Sequence, residues 1–208
     1  MHYRIGILGG SFDPIHLAHI EAARTAREFS VLDFVYLVPA GNPYHREPLA
    51  GSAAARLAMC ELAAQEHNWL KVTEVDVVRS GNTYTVDTLT ELREEFEHLQ
   101  PGDGAEWFLI LGADAYRDFP QWKEPETISR EASILVVARP GENHTQHESF
   151  PCTFIDIPGW EISSSGIRQR LEQGESIEGL VTPSVRKYIT QHNLYASSPK
   201  TANHGTTN

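Results

Sequence analysis

Cysteine is scarce in this chain. Only two of its 208 residues are cysteine, Cys60 and Cys152, and they lie far apart with no metal-binding or redox spacing around them. Because small secreted domains rely on dense disulfides, this scarcity favours two reduced thiols in a cytoplasmic protein. The sequence also lacks any apolar run near the roughly 20 residues of a membrane-spanning helix. Its first residues, MHYRIGILGG, lack the charged-then-apolar order of a signal peptide. We therefore expect an intracellular protein without a membrane partner.

Positive charge is scarce as well. The chain has 17 lysines and arginines against 28 aspartates and glutamates, which gives a formal net charge of −11. A groove for nucleic acid needs a basic face, so we expect no nucleic acid partner. If the ligand carries phosphate, local donors must attract it, because the field of the whole protein repels it.

Apolar runs alternate with helical patterns along the chain. Runs rich in valine, isoleucine and aromatic residues predict strands over 3–8, 34–38, 72–78, 107–111, 134–138 and 153–157. Amphipathic patterns predict helices over 17–29, 53–66, 86–98, 166–173 and 184–192. This alternation is typical of an α/β fold with a single doubly wound parallel sheet, Rossmann-like, over residues 1–195. Residues 140–151 are predicted to be loose, and the polar tail 196–208 to be disordered.

The first strand is followed by GGSFDPIHLAHI, residues 9–20. Gly9 and Gly10 allow close approach of a ligand at the carboxyl end of the strand, and the next helix start offers N–H groups to a phosphate. His16 and His19 are three residues apart, so both lie on one side of that helix and could donate to phosphate oxygens. They could instead cap the helix or form half of a metal site, although no further ligands at suitable spacing are evident. The stretch lacks G-x-G-x-x-G, which counts against a dinucleotide-dependent oxidoreductase.

A second stretch with phosphate-type donors occurs 150 residues later. Residues 162–168 read ISSSGIR and precede a helical pattern. The serine hydroxyls could simply cap that helix. Alternatively, the hydroxyls and the permanent cation of Arg168 form a second phosphate site. Two helix starts with such donors favour a phosphate ligand more strongly together than either does alone.

Both stretches resemble motifs of the nucleotidylyltransferase superfamily. GGSFDPIHLAHI resembles G-G-x-F-D-P-x-H-x-G-H, with Ala18 in place of the usual second-to-last glycine, and ISSSGIR resembles I-S-S-T-x-I-R. The resemblance implies a nucleotidylyltransferase fold that binds ATP, with His16, His19 and Arg168 as catalytic residues. The implied ATP-binding residues in these two motifs are Gly9, Gly10, Ser11, Phe12, Ile162, Ser163 and Ser164.

Three further stretches resemble the bacterial nicotinate mononucleotide adenylyltransferases. PYHR at 43–46 resembles P-P-H-K, RSGNTYTVDTL at 79–89 resembles R-x-G-x-S-Y-T-x-D-T-L, and LILGADAYRDFPQW at 109–122 resembles a strand, a G-A-D turn and a tryptophan. The resemblance implies that Arg46 and Asp114 also contact ATP. The implied residues for the mononucleotide are His45, Asn82, Thr83, Tyr84, Thr85, Trp122 and Lys123.

These assignments make chemical sense, although each has a simpler alternative. N–H groups of residues 82–85, just before a helix, could hold a carboxylate, or Tyr84 and Thr85 could merely begin that helix. Trp122 could stack on a pyridinium ring or be an ordinary core or surface aromatic. Asp114 could accept from a ribose hydroxyl or cap a helix. Arg56, early in the second helix, is interpreted as structural.

The reaction implied by the resemblance is in-line attack of the 5′-phosphate of nicotinate mononucleotide on the α-phosphorus of ATP. It releases pyrophosphate without a covalent enzyme intermediate, and Mg²⁺ bridges the ATP phosphates with few protein ligands. The alternatives are an adenylyltransferase for nicotinamide mononucleotide or another phosphorylated substrate, and a nucleotide sensor without turnover. A homo-oligomer is compatible with the sequence.

Overall fold

A computed structural model describes residues 1–41, 49–138, 145–157, 159 and 161–196. Its strands are β1 (His2–Gly10), β2 (Phe34–Pro39), β3 (Leu70–Val72), β4 (Gly104–Gly112), β5 (Ser133–Ala138) and β6 (Cys152–Asp156). Its α-helices are α1 (Leu17–Ser30), α2 (Ala53–Ala64), α3 (Val75–Val78), α4 (Thr85–Leu99), α5 (Ala113–Asp118), α6 (Pro125–Glu131), α7 (Ser164–Glu172) and α8 (Pro183–Gln191). A short 3₁₀ turn, Phe119–Gln121, follows α5.

The strands form one parallel sheet in the order β3-β2-β1-β4-β5-β6. This arrangement confirms the predicted doubly wound parallel sheet. The chain builds outward from β1 to β3 and then returns to place β4 on the other side of β1, so the strand order reverses between β1 and β4. Ligands of open α/β sheets bind outside the carboxyl ends of the strands at such a reversal. Here those ends are Gly10 and Gly112.

Apolar side chains cover both faces of the sheet, as parallel strands require. Alternate residues of β4 divide between the two layers: Ile110 packs with α1, α2, α7 and α8, whereas Leu109 and Leu111 pack with α4 and α6. The buried run of β4 extends from Trp107 to Leu111. The continuous apolar run of β4 therefore reflects a central strand that is covered on both faces.

The predicted strand over 72–78 is wrong. The strand ends at Val72, and the next residues form the single helical turn α3. Thr73 Oγ1 accepts from the N–H of Val75 at 3.3 Å, which favours the turn over a continued strand. Asp76 then bonds to Arg79 and to α4 instead of alternating across a sheet. The β-branched residues of VTEVDVV favour a strand, but the hydrogen bonds of Thr73 and Asp76 stabilise the helical turn instead.

The connection between β4 and β5 contains helices that the sequence patterns did not indicate. α5 has 6 residues and α6 has 7, so neither is long enough to show a helical period of its own. The five helices that were predicted, α1, α2, α4, α7 and α8, lie within two residues of their predicted bounds.

Part of the segment predicted to be loose is packed. Residues 140–144 lie outside the described part, but Phe150 is buried and its carbonyl accepts from the Tyr116 hydroxyl at 2.6 Å. Of the predicted disordered tail, only residue 196 is described. No helix among the described residues has the length and apolar character needed to cross a membrane.

Candidate active site

The turn after β1 is shaped by Gly10 and Phe12. Phe12 has a φ of 46° and its ring is buried. A Cβ on Gly10 would lie 3.0 Å from two carbons of that ring, so a side chain at this position would displace it. A Cβ on Gly9 would meet nothing within 4 Å. The turn therefore needs glycine at position 10 to seat Phe12, while position 9 faces open space.

His16 and His19 stack on each other where α1 begins. Their ring centroids are 3.6 Å apart at an interplanar angle of 20°, and the edge of Phe12 meets the His19 ring at 5.0 Å. The N–H of His16 donates to Nδ1 of His19 at 3.3 Å. Since Nδ1 accepts, the proton of the neutral His19 ring is assigned to Nε2. Burial, and secondarily the neighbouring His16, lower the pKa of His19, so the ring is neutral at neutral pH.

The second motif is bonded directly to the first. Ser163 caps α7 by accepting from the N–H of Gly166 at 3.1 Å. Ser164 Oγ donates to the carbonyl of Pro14 at 2.9 Å, and Arg168 Nη1 donates to the carbonyl of Asp13 at 2.6 Å. Residues that are about 150 positions apart in the chain thus form one contiguous surface at the starts of α1 and α7. Ile162, also assigned to this motif, is 9% exposed and packs into the core.

Asp13 anchors this surface, a role that the sequence patterns do not indicate. The residue is 1% exposed, and its carboxylate accepts from the N–H groups of Ala50 and Gly51 and from the hydroxyl of Tyr195. The sequence offers a partial signal, since Asp13 stands within the first motif. It offers none for Tyr195, which lies 182 residues away.

A cavity of about 620 Å³ opens beside this surface, at the strand-order reversal. Its floor is formed by the ends of β1 and β4, and one wall by the start of α4 and the 3₁₀ turn. The residues assigned from the sequence that line it are Gly9, Gly10, Ser11, Thr83, Tyr84, Thr85, Trp122 and Lys123. The structure therefore brings the first phosphate turn and most of the assigned mononucleotide residues to a single space.

At the far wall, Trp122 and Lys123 face the start of α4. The ammonium of Lys123 lies 3.1 Å from both carboxylate oxygens of Asp87 and 4.7 Å over the ring of Tyr84. The ring of Trp122 packs on Phe119 at 5.3 Å while also lining the cavity. Trp122 is thus partly a core aromatic and partly a surface that a planar ligand could contact. Asn82 Nδ2 donates to the Tyr84 hydroxyl at 3.4 Å.

Beneath this wall lies a polar cluster that sequence reasoning also missed. Asp76 is 8% exposed, lines the cavity, and accepts from the Thr88 hydroxyl and from Arg79 Nη1 at 2.9 Å. Arg79 also pairs with Glu91 at 2.9 Å, which ties α3 to α4. Burial raises the pKa of Asp76 despite these donors. Arg79 begins the stretch RSGNTYTVDTL, which is the only sequence signal for the cluster.

Arg56 has the structural role expected from the sequence. Its buried guanidinium donates to the carbonyls of Ser11 at 2.7 Å, Gly41 at 3.2 Å and Gly51 at 3.2 Å. These bonds hold the segments that follow β1 and β2 and precede α2. Gly41 is required there, because a Cβ would lie 1.9 Å from the carbonyl oxygen of Asp76.

Several assigned residues do not line the cavity. Among the described ones, these are Asn82, Asp114 and the residues at the bonded starts of α1 and α7, namely Phe12, His16, His19, Ile162, Ser163, Ser164 and Arg168. Asp114 begins α5 with its side chain 95% exposed and paired with Arg117, and it is not among the described residues that line the cavity. His45 and Arg46 lie outside the described residues. Within the described part of the chain, no group of three or more histidines, cysteines or carboxylates is placed to hold a metal ion.

Comparisons with known proteins agree with this geometry. A family model described as Cytidylyltransferase-like matches residues 7–170. A "Probable nicotinate-nucleotide adenylyltransferase" of Thermus thermophilus is 44% identical over 192 residues, covering 92% of this chain and 99% of that protein. A protein of the same name from Bordetella pertussis is 39% identical over 201 residues, covering 92% and 98%.

A solved structure shares the fold. "Plasmodium falciparum nicotinic acid mononucleotide adenylyltransferase complexed with NaAD" has a TM-score of 0.70 at 24% identity, with 93% of this chain and 98% of that chain covered. The chain belongs to the cytidylyltransferase-like family, alongside relatives that are named nicotinate-nucleotide adenylyltransferase.

Proposed function

We propose that this protein transfers the adenylyl group of ATP to nicotinate mononucleotide, giving nicotinate adenine dinucleotide and pyrophosphate in cytoplasmic NAD biosynthesis. One observation carries the proposal: two motifs with phosphate-type donors are bonded to each other beside a cavity whose opposite wall is a helix start and a tryptophan. One side suits a triphosphate, and the other suits a planar ring that bears a carboxylate. The names of the relatives support the same pair of substrates.

The chemistry requires positioning and charge stabilisation. The attacking 5′-phosphate is already an anion, so no general base is required, and catalysis rests on orienting the two phosphates and stabilising the charge that develops. The neutral His19 would donate from Nε2 to a phosphate oxygen, and His16, stacked on it, orients its ring. Arg168 would supply a permanent cation to the phosphates of ATP. Arg46 would add a further cation, and Asp114 would bind ribose only if its exposed side chain turned from Arg117.

The mononucleotide is assigned to the α4 side of the cavity. N–H groups of residues 82–85 lie at the start of a 15-residue helix, where the positive end of the helix dipole favours a carboxylate. The Trp122 ring would stack on the pyridinium, and Lys123 would lie close to the negative groups of the ligand. This end of the cavity favours the acid over the amide.

Mg²⁺ is proposed to enter as the MgATP complex. Magnesium keeps several waters and is held mainly by substrate phosphates and one or two carboxylates. The buried carboxylate within the first motif, Asp13, already accepts from two N–H groups and a hydroxyl. These residues fit an ion carried by ATP better than one held by a protein cage. The bound ion would reduce the charge that ATP brings to a chain of net charge −11.

The test is pyrophosphate release by the purified full chain with MgATP. Nicotinate mononucleotide, nicotinamide mononucleotide and phosphopantetheine are offered in parallel. We expect turnover with the nicotinate form, and slow or no turnover with the others. Equal turnover with both mononucleotides would refute the carboxylate site at residues 82–85. Turnover with phosphopantetheine alone would refute the substrate, and ATP binding without any release would indicate a sensor.

A further inference from the structure

Tyr195 reaches the phosphate motifs from the far end of the described chain. It follows α8, and its hydroxyl donates to Oδ1 of Asp13 at 2.7 Å. Burial and the bond to Asp13 raise the pKa of this phenol, so the hydroxyl stays protonated and acts as a donor. Neither the sequence motifs nor the proposed mechanism assigns Tyr195 a role.

The carboxylate of Asp13 is buried and surrounded by donors from three segments. Oδ1 accepts from Gly51 N–H at 2.9 Å and from Tyr195, while Oδ2 accepts from Ala50 N–H at 2.8 Å. Arg168 Nη1 lies 3.9 Å from Oδ2, beyond hydrogen-bond range, and donates instead to the carbonyl of Asp13 at 2.6 Å. The guanidinium therefore stands next to a buried negative charge without being bonded to it.

A buried carboxylate that loses a donor attracts the nearest cation more strongly. Among the described residues, two arginines lie close to Asp13. Arg56 already donates to the carbonyls of Ser11, Gly41 and Gly51. Arg168 Nη1, in contrast, would need to move only from 3.9 Å to hydrogen-bond distance of Asp13 Oδ2. Arg168 is the cation that would respond.

We propose that Tyr195 is a positioning residue for ATP: its hydroxyl satisfies Asp13 and so prevents that carboxylate from capturing Arg168. Arg168 then remains available to the phosphates of ATP. The inference rests on the proposed function, because it requires Arg168 to bind ATP. It assigns no contact between Tyr195 and the substrate.

The test compares Tyr195→Phe, which removes only the hydroxyl, with Tyr188→Phe on α8. Tyr188 packs against His192, with ring centroids 4.2 Å apart, and lies outside the phosphate motifs. For Tyr195→Phe we expect the KM for ATP, and the Kd for MgATP by calorimetry, to rise about tenfold, the value of one hydrogen bond to a charged group. The KM for nicotinate mononucleotide should stay within about twofold, because Arg168 is not assigned to that substrate. Tyr188→Phe should match the wild type.

Gly51→Ala disturbs the same bond from the other side. A Cβ at Gly51 would lie 2.7 Å from both the Tyr195 hydroxyl and Asp13 Oδ1, and Gly51 is not among the glycines with a positive φ. We expect the same selective weakening of ATP binding, so either variant serves if the other fails to fold.

Two results would overturn the inference: an unchanged KM and Kd for ATP, or equal losses for both substrates, which would indicate general destabilisation. Calorimetry with MgATP alone separates the two proposals. If the wild type releases no pyrophosphate from nicotinate mononucleotide, the proposed function fails, while the Kd for MgATP still decides the role of Tyr195.

Discussion

The neighbours of His19 fix the position and the protonation of its ring. Phe12 and His16 contact its ring, and the N–H of His16 occupies its Nδ1. Burial lowers its pKa, so the free enzyme holds a neutral donor rather than a cation. A neutral imidazole can donate one hydrogen bond in a fixed direction, which suits charge that develops during the reaction.

Replacing His19 by alanine should mainly reduce kcat. We expect a loss equivalent to about 2–4 kcal/mol in the activation free energy, with little change in either KM, because the donor acts on developing charge. Steady-state pyrophosphate release measures it. His98→Ala, an exposed histidine in the last turn of α4, is the matched control. Near-normal turnover in His19→Ala would eliminate this role.

The depressed pKa of His19 also makes stability depend on pH. Below the ordinary value of 6.5, the unfolded chain binds a proton at His19 that the folded protein does not bind, so the free energy of unfolding falls as pH falls. We expect the wild type to lose more Tm between pH 7.5 and pH 5.5 than His19→Gln does. Equal losses of Tm in the two proteins would contradict the lowered pKa.

Trp122 contacts both the core and the cavity. Its ring packs on Phe119 and lines the cavity, so Trp122→Ala should raise the KM for the mononucleotide about tenfold and leave the KM for ATP nearly unchanged. Trp122→Phe, which keeps a ring, should lose less. The two KM values from pyrophosphate release decide this, and equal increases for both substrates would exclude stacking.

At the scale of elements, the site depends on bonds between helix starts and the turns beside them. α7 is tied to the turn after β1 by Ser164 and Arg168, and α4 is tied to α3 by the cluster of Asp76, Arg79 and Thr88. Each bond satisfies a buried polar group. Losing one partner therefore leaves the other uncompensated.

Thr88→Val should test the α3–α4 cluster. The change keeps the shape of the side chain but removes a donor to the buried carboxylate of Asp76, so we expect the free energy of unfolding to fall by about 1–3 kcal/mol. Thr90→Val on the same helix is the control, because Thr90 is exposed and donates only to the Val86 carbonyl of its own helix. Urea unfolding measures both. If both valine variants lose the same stability, the cluster contributes nothing.

At the scale of the whole molecule, the sheet places the site and two apolar layers support it. β1 lies at the centre, between β2 and β4, and the layers on its two faces are formed by separate helices. The centre of β1 contains Gly6, where three neighbours approach closely. A Cβ there would lie 2.9 Å from Leu32 Cδ1, 3.0 Å from Val35 Cγ2 and 3.1 Å from Ile110 Cδ1.

Gly6→Ala should therefore overpack the layer beneath the sheet. We expect a loss of about 1–3 kcal/mol in the free energy of unfolding, because the three neighbours belong to different elements and cannot all yield freely. Gly112→Ala provides the comparison, since a Cβ there would meet nothing within 4 Å. Urea unfolding of both variants is the measurement. If Gly6→Ala is as stable as the wild type, the neighbouring side chains can shift to accept the methyl group, and the predicted overpacking is wrong.

Much of the fold and part of the site could be predicted from the sequence. The central strands are long apolar runs, so β1, β2, β4 and β5 were recognisable from hydrophobicity alone. The two phosphate motifs are continuous in the chain, so their residues could be assigned together. Short elements could not be recognised in this way, because α3, α5 and α6 span only 4, 6 and 7 residues, too few to show a helical period.

The sequence by itself determined the parallel α/β architecture and the two phosphate motifs, because both can be recognised from residues that are adjacent in the chain. Only the tertiary structure decided that Ser164 and Arg168 bond to the turn after β1, that Tyr195 reaches Asp13, and that Thr88 supports Asp76. These bonds join residues 12 to 182 positions apart. Hydrophobic periodicity reports which face of an element is buried, whereas a hydrogen bond between elements depends on how their ends meet in space.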